Sequence, residues 1–141
     1  AVKAALSEGI VPGGGVTLVN LSAGILVDGA DSVAAGASIL KSALEQPFRI
    51  ILENAGLNPD EWLPIVRAAK PGQGIDVNAP AKLVDLKAKG VIDPVVVTKK
   101  AVESAASIAG TSMTMGALVV EVPEKTPSAP AAPDMGGMGM M

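Results

Sequence analysis

The chain has 141 residues, 11 of them basic and 14 acidic, for a net charge of −3, and it contains neither cysteine nor histidine. This excludes a disulfide framework, thiolate chemistry and imidazole as a base or metal ligand. The scattered Lys and Arg form no basic stripe of the kind that nucleic acid requires, and Gly, Pro, Asp or Lys interrupts every apolar run short of the roughly 18 residues of a membrane span.

Ala1 to Gly9 reads as the last two turns of a helix stopped by glycine, with no N-cap ahead of it, as if cut from a longer helix. Pro12-Gly13-Gly14-Gly15 is a turn between helices. Val16 to Val27 has strand formers, but Leu18, Leu21, Ala23, Ile25 and Leu26 cover most of a cylinder, so a helix is expected. Asp31 or Ser32 caps a helix that runs to about Gln46, with Val33, Ala37, Leu40 and Leu44 at helical spacing. Pro47 opens another helix, Phe48 to Ala55, closed by Gly56. Asn58-Pro59-Asp60 starts the next, Glu61 to Ala69, with Trp62, Ile65 and Val66 on one side and Pro64 in its first turn.

Gly74-Ile75-Asp76-Val77 and Leu83-Val84-Asp85-Leu86 read as a short hairpin around Asn78-Ala79-Pro80-Ala81, although Lys82 to Lys89 equally suits one or two helical turns. Across such a hairpin Asp76 and Asp85 face each other as a solvated pair. Gly90 to Pro94 is a second turn. The clearest helix follows, from about Val95 to Met113, with Val102, Ala105, Ala106, Ile108, Ala109 and Met113 inward; Met113 and Met115 are core residues. Ala117 to Val122 is an apolar strand without a long partner earlier in the chain, so its partners lie in other sequence or another subunit. Residues 123–141, ending in the Gly/Met tail Asp134 to Met141, lack core formers and read as disordered.

The hydrophobic fraction is 49% but the aromatics are only Phe48 and Trp62. A core of Ala, Val, Leu and Ile favours closely packed helices. The mean hydropathy of +0.45 points to surfaces covered by other protein, unless Ala and Val alone raise it. The expected fold is therefore mainly α, a helical bundle with a short β-hairpin and a C-terminal strand, comprising residues 1–122 and a disordered tail, 123–141.

Three segments carry candidate chemistry. The glycines after Pro12 either make a tight turn or let the backbone approach a nucleotide; the Gly-Lys-Ser/Thr ending of a P-loop is absent. Asn78 suits an adenine edge or a turn. Asp93, held out of helix by Pro94, is either an N-cap or an acceptor for ribose hydroxyls. No pair of carboxylates forms an acid/base couple, so no catalytic residue and no metal site is assigned.

Taken in order, Glu8-Gly9-Ile10-Val11-Pro12-Gly13-Gly14-Gly15, Asn78-Ala79, Gly90-Val91-Ile92-Asp93-Pro94, Ala105-Ala106-Ser107-Ile108-Ala109-Gly110 and the Gly-Gly-Met tail resemble the C-terminal half of the equatorial domain of a group I chaperonin, the GroEL type. The resemblance spans essentially the whole chain. It implies an ATP-dependent folding machine of two stacked seven-membered rings, a tetradecamer of this subunit, cytoplasmic, working with Mg²⁺ and K⁺, a co-chaperonin lid and non-native proteins, with no nucleic acid or membrane partner. It further implies that Gly14 approaches the nucleotide, that Asn78, Ala79 and Pro80 line the adenine pocket, that Asp93 accepts from the ribose, and that the 117–122 strand joins a sheet shared with a neighbour. The family's usual Asn-Ala-Ala reads Asn-Ala-Pro here, which removes one N–H. The resemblance also puts the phosphate loop, the Asp-Gly-Thr-Thr-Thr motif and the water-positioning aspartate outside this sequence. The chain alone is thus expected to bind no cofactor tightly and to hydrolyse no ATP; the alternative is a non-catalytic helical self-association module.

Overall fold

The computed structural model describes residues 1–117 and 119–121. Among these residues, five helices carry more than half: α1 (Val2–Glu8), α2 (Val16–Ala23), α3 (Ser32–Asn54), α4 (Pro59–Ala68) and α5 (Val95–Met113). Four three-residue strands make two antiparallel ladders. One joins β1 (Ile10–Pro12) to β4 (Ile92–Pro94), pairing Val11 with Asp93; the other is a hairpin of β2 (Gln73–Ile75) and β3 (Leu83–Asp85), pairing Gly74 with Val84.

Local signals explain three of the helix ends. Gly9, at φ 87°, stops α1, and its N–H donates to the Ala5 carbonyl at 2.9 Å. The Asp31 carboxylate accepts from the Ala34 N–H at 2.9 Å and starts α3. Asn58 accepts from the Asp60 N–H, and Pro59 occupies the first position of α4.

The expected break at Pro47 does not occur: α3 runs unbroken from Ser32 to Asn54. Leu44, Phe48 and Leu52 are all buried. They stand four residues apart on one stripe, which only a continuous helix keeps facing the core. Burying each is worth about 1.5–3 kcal/mol, comparable with the roughly 3 kcal/mol a proline costs in a helix interior. The core joins Val16 and Val19 of α2, Phe48 and Leu52 of α3, Leu63 and Val66 of α4, Ile75 of β2, and Leu86 just after β3.

Several expectations about faces are corrected. α2 ends at Ala23, short of Val27, and buries Val16, Val19 and Ser22, leaving Leu21 and Leu26 exposed. On α3 the stripe toward the N-terminus fails, since Val33 is exposed. α4 turns Pro59, Leu63 and Val66 inward and leaves Ile65 exposed; it also begins earlier than expected, so Pro64 lies beyond its first turn. α5 buries no residue at all, and Ile108, Met113 and Met115 are exposed. Periodicity marks an apolar face but not what covers it.

The ladders also differ from expectation. The turn at Pro12 follows a strand rather than a helix, and Ile92 to Pro94 is a strand rather than a turn. Lys82 to Lys89 is not helical. Asp76 and Asp85 do not face each other, because Asp85 pairs with Gln73; each instead accepts a local N–H, from Asn78 and from Ala88. Residues 117 and 119–121 form no strand; a single strand has no ladder without a partner. The tail, 123–141, lies outside the described residues.

Candidate functional site: the glycine turn and Asp93

The β1–β4 ladder brings together segments far apart in sequence. Gly13 extends it, donating its N–H to the Val91 carbonyl at 2.9 Å. Gly14 and Gly15 then take positive φ, 65° and 77°, and deliver the chain into α2. The glycines have different reasons to be there. A Cβ at Gly13 would lie 3.1 Å from the Ile92 nitrogen, and one at Gly15 2.7 Å from the Phe48 nitrogen. Both positions are closed by the protein's own backbone. A Cβ at Gly14 would meet nothing nearer than a Val91 methyl at 3.9 Å. Packing therefore leaves the surface of Gly14 open, and only its φ favours glycine.

Asp93 stands opposite Val11 in the ladder. Its side chain lines a cavity of about 220 Å³ with Gly15, Thr17, Leu18, Thr98 and Ala101. It does not cap α5: the cap position is Pro94, and no side chain accepts there. Among the described residues no group donates to the Asp93 carboxylate. Thr17 is held by its hydroxyl, which donates to the Pro12 carbonyl at 2.6 Å. The cavity thus sets a carboxylate beside the N-terminus of α2, the positive end of the helix dipole, where the Val16 and Leu18 N–H groups donate to the Gly13 and Gly15 carbonyls. Such a place can accept from hydroxyls on one side and attract an anion on the other.

Asn78, Ala79 and Pro80 sit elsewhere, exposed on the β2–β3 hairpin. They line neither this cavity nor the neighbouring one of about 430 Å³, where Pro12, Thr17, Asn20, Gly72, Asp85 and Lys87 meet. Asp76 organises the hairpin loop: its carboxylate accepts from the Asn78 N–H at 3.0 Å and its carbonyl from the Ala79 N–H at 3.0 Å. The Ala81 N–H closes onto the Ala79 carbonyl at 2.7 Å, a tight turn centred on Pro80, whose fixed φ suits it. The loop therefore offers a ligand the Asn78 side-chain amide rather than the backbone donors of Asn78 and Ala79.

The structure so brings Asp93 to the glycine turn, with Gly15 rather than Gly14 lining the shared cavity, and leaves the hairpin residues apart from it. The sequence offers Thr17 and Thr98 no role, and Leu18 only a place on an apolar helix face. The position of Thr17 in the first turn after the glycines was the one usable signal; Thr98 enters only because β4 and α5 are contiguous. No group of three His, Cys, Asp or Glu among the described residues is arranged to hold a metal ion.

A third hollow, about 440 Å³, runs between α2, α3 and α5. Leu18, Leu21, Leu40, Leu44, Val95 and Val102 line it, with Lys99 and Glu103 also at the wall.

Residues 1–123 match the TCP-1/cpn60 chaperonin family. Among solved structures, the chain is similar to a group III chaperonin in the open state, with a TM-score of 0.74 and 29% identity over 82% of this chain and 25% of that one. It is also similar to the open-state monomer of a group II chaperonin from Methanococcoides burtonii, with a TM-score of 0.66 and 25% identity over 75% of this chain and 28% of that one. The sequence spans about a quarter of the length of each of these structures.

Proposed function

The chain belongs to the TCP-1/cpn60 chaperonin family, and from that premise we propose that it is the ribose and adenine side of the ATP site in a protein-folding chaperonin subunit, together with surfaces that join subunits into rings. The observation that carries this reading is the meeting of the glycine turn and Asp93: Gly15, next to the open Gly14, shares a cavity with a carboxylate that no described residue engages. In the bound state the Gly14 backbone lies against the nucleotide, and Asp93 accepts from the ribose hydroxyls. Asn78 reaches the adenine edge through its side-chain amide, with Ala79 and Pro80 supplying apolar surface. ATP supplies the energy of the folding cycle. Mg²⁺ and K⁺ are held by the phosphate-binding half of the site, which the resemblance places outside this sequence.

Glu8 to Gly15 and the Gly136-Gly137-Met138-Gly139-Met140-Met141 ending support the group I type. With that type come two seven-membered rings, a separate co-chaperonin, non-native proteins as clients and a cytoplasmic location. No helix among the described residues is long and apolar enough to cross a membrane.

Nucleotide titration of the intact protein carrying Asp93→Ala tests the site. Losing a charged acceptor for hydroxyls is worth about 1.5–3 kcal/mol, so ATP affinity falls about 10- to 100-fold. Unchanged affinity removes Asp93 from the site. The 141-residue chain alone, freed of contaminating full-length protein, is expected to show no ATP turnover; measurable turnover refutes the division of the site. The second reading, a non-catalytic self-association module, is favoured for the isolated chain by the apolar hollow and by α5, which buries no residue. Saturable micromolar ATP binding by that chain decides for a retained site.

A further inference from the structure

Glu45, in the middle of α3, is a carboxylate with 4% exposure. Arg67 of α4 grips both its oxygens: Nε donates to Oε1 at 2.8 Å and Nη2 to Oε2 at 2.5 Å. Ser22, in the last turn of α2, donates to Oε1 at 3.1 Å and shares that proton with the Val19 carbonyl at 2.8 Å. One carboxylate thus ties three helices. A buried ion pair is a poor source of net stability, since apolar residues of similar size commonly do as well. What it supplies is geometry, because a forked guanidinium on a carboxylate tolerates little rotation.

That geometry bears on the glycine turn. Phe48 lies one helical turn beyond Glu45 on α3, and Gly15 sits directly on its backbone, where a Cβ would come within 2.7 Å. α2 is therefore seated on α3 at both ends, by Gly15 on Phe48 at its start and by Ser22 on Glu45 at its finish. We propose that Glu45 and Arg67 are positioning residues for the glycine turn. They hold α2 in register on α3, so that the backbone around Gly14 stays arranged for a ligand. What that ligand is rests on the nucleotide reading above; the positioning itself does not.

Amide hydrogen exchange on the intact protein tests it. In Arg67→Met, the bonded amides of Val16, Leu18 and Val19 are expected to exchange about tenfold faster or more, as a local opening, while Leu86 and the β2–β3 ladder keep their protection. Arg67→Lys, which keeps the charge without the fork, falls between Met and the native residue. Ser22→Ala leaves the ion pair intact and serves if Arg67→Met does not fold; it too accelerates exchange at Val16 to Val19 alone. Acceleration spread evenly through the core, or none at Val16 to Val19, overturns the proposal. ATP affinity of the same variants separates the two claims. If it falls as the turn loosens, both hold. If the turn loosens while affinity stays native, the positioning stands and the nucleotide reading fails.

Discussion

Gly13, Gly14 and Gly15 look alike in sequence, yet the structure gives them three situations. Gly15→Ala meets both a positive φ and the Phe48 backbone at 2.7 Å, so it is expected to cost about 3 kcal/mol or more, read as a lower midpoint in denaturant. Gly14→Ala meets only the φ penalty, about 1–2 kcal/mol, but places a methyl on the surface assigned to the nucleotide. The expected signature is a small stability loss with a clear loss of ATP affinity. The reverse pattern would show that Gly14 serves packing alone. Elsewhere, Lys100 and Glu103 form an exposed pair at 2.8 Å on α5. The hydrogen bond from Lys100, and then its charge, hold Glu103 below the ordinary 4.5, and the same bond raises Lys100 above 10.5. A lowered carboxylate contributes above its unfolded value and loses that contribution as pH falls through its folded value; a raised ammonium contributes below its unfolded value and loses it as pH rises. The pair therefore acts between about pH 4.5 and 10.5 and is screened by salt. In Lys100→Met, the Glu103 titration followed by carboxyl NMR moves back up toward 4.5.

Among the elements, α3 shows how tertiary packing overrides a local breaker. Pro47 is a legible stop signal, and reading it as a helix start was sound local chemistry. The stripe Leu44, Phe48 and Leu52 passes straight through it. Because Pro47 is exposed, Pro47→Ala restores a helical N–H without opening a cavity. It is expected to stabilise α3 by about 1–3 kcal/mol, less what the freer unfolded chain takes back; a lower melting temperature would mean that the ring itself shapes α3. The helix α5, the Asp31 and Asn58 caps, and the hairpin as one of two readings of its segment were readable because each signal lies within a few residues of what it specifies. β1 and β4 were not. Each is three residues long, ends in proline and has no alternation of its own, and each becomes a strand only by finding the other.

Among the described residues, the core cluster of eight is modest, and none of them covers the apolar hollow between α2, α3 and α5. High mean hydropathy points to surfaces meant for other protein, and the exposed Leu21 of α2 and Val97, Ile108 and Met113 of α5 agree. The isolated chain is expected to sediment as a concentration-dependent oligomer across the micromolar range. Leu21→Glu, which places a charge at the hollow where Leu21 is already 57% exposed, should shift it toward monomer without lowering its melting temperature. A monomer at every concentration would show that this surface does not associate.

From its sequence alone the protein is a mainly helical chain of small aliphatics, with the Gly9 stop, the Asp31 and Asn58 caps and the ordered motifs of a chaperonin already in place. These follow from capping, glycine conformation and periodicity, all of which act over a turn or two of backbone. Only the tertiary structure decided that Val11 pairs with Asp93, that Asp93 faces a cavity rather than a helix end, and which of three glycines is left open. Those outcomes depend on backbone groups far apart in sequence meeting, as the Gly13 N–H meets the Val91 carbonyl at 2.9 Å, and such contact is a property of the folded whole that no local pattern encodes.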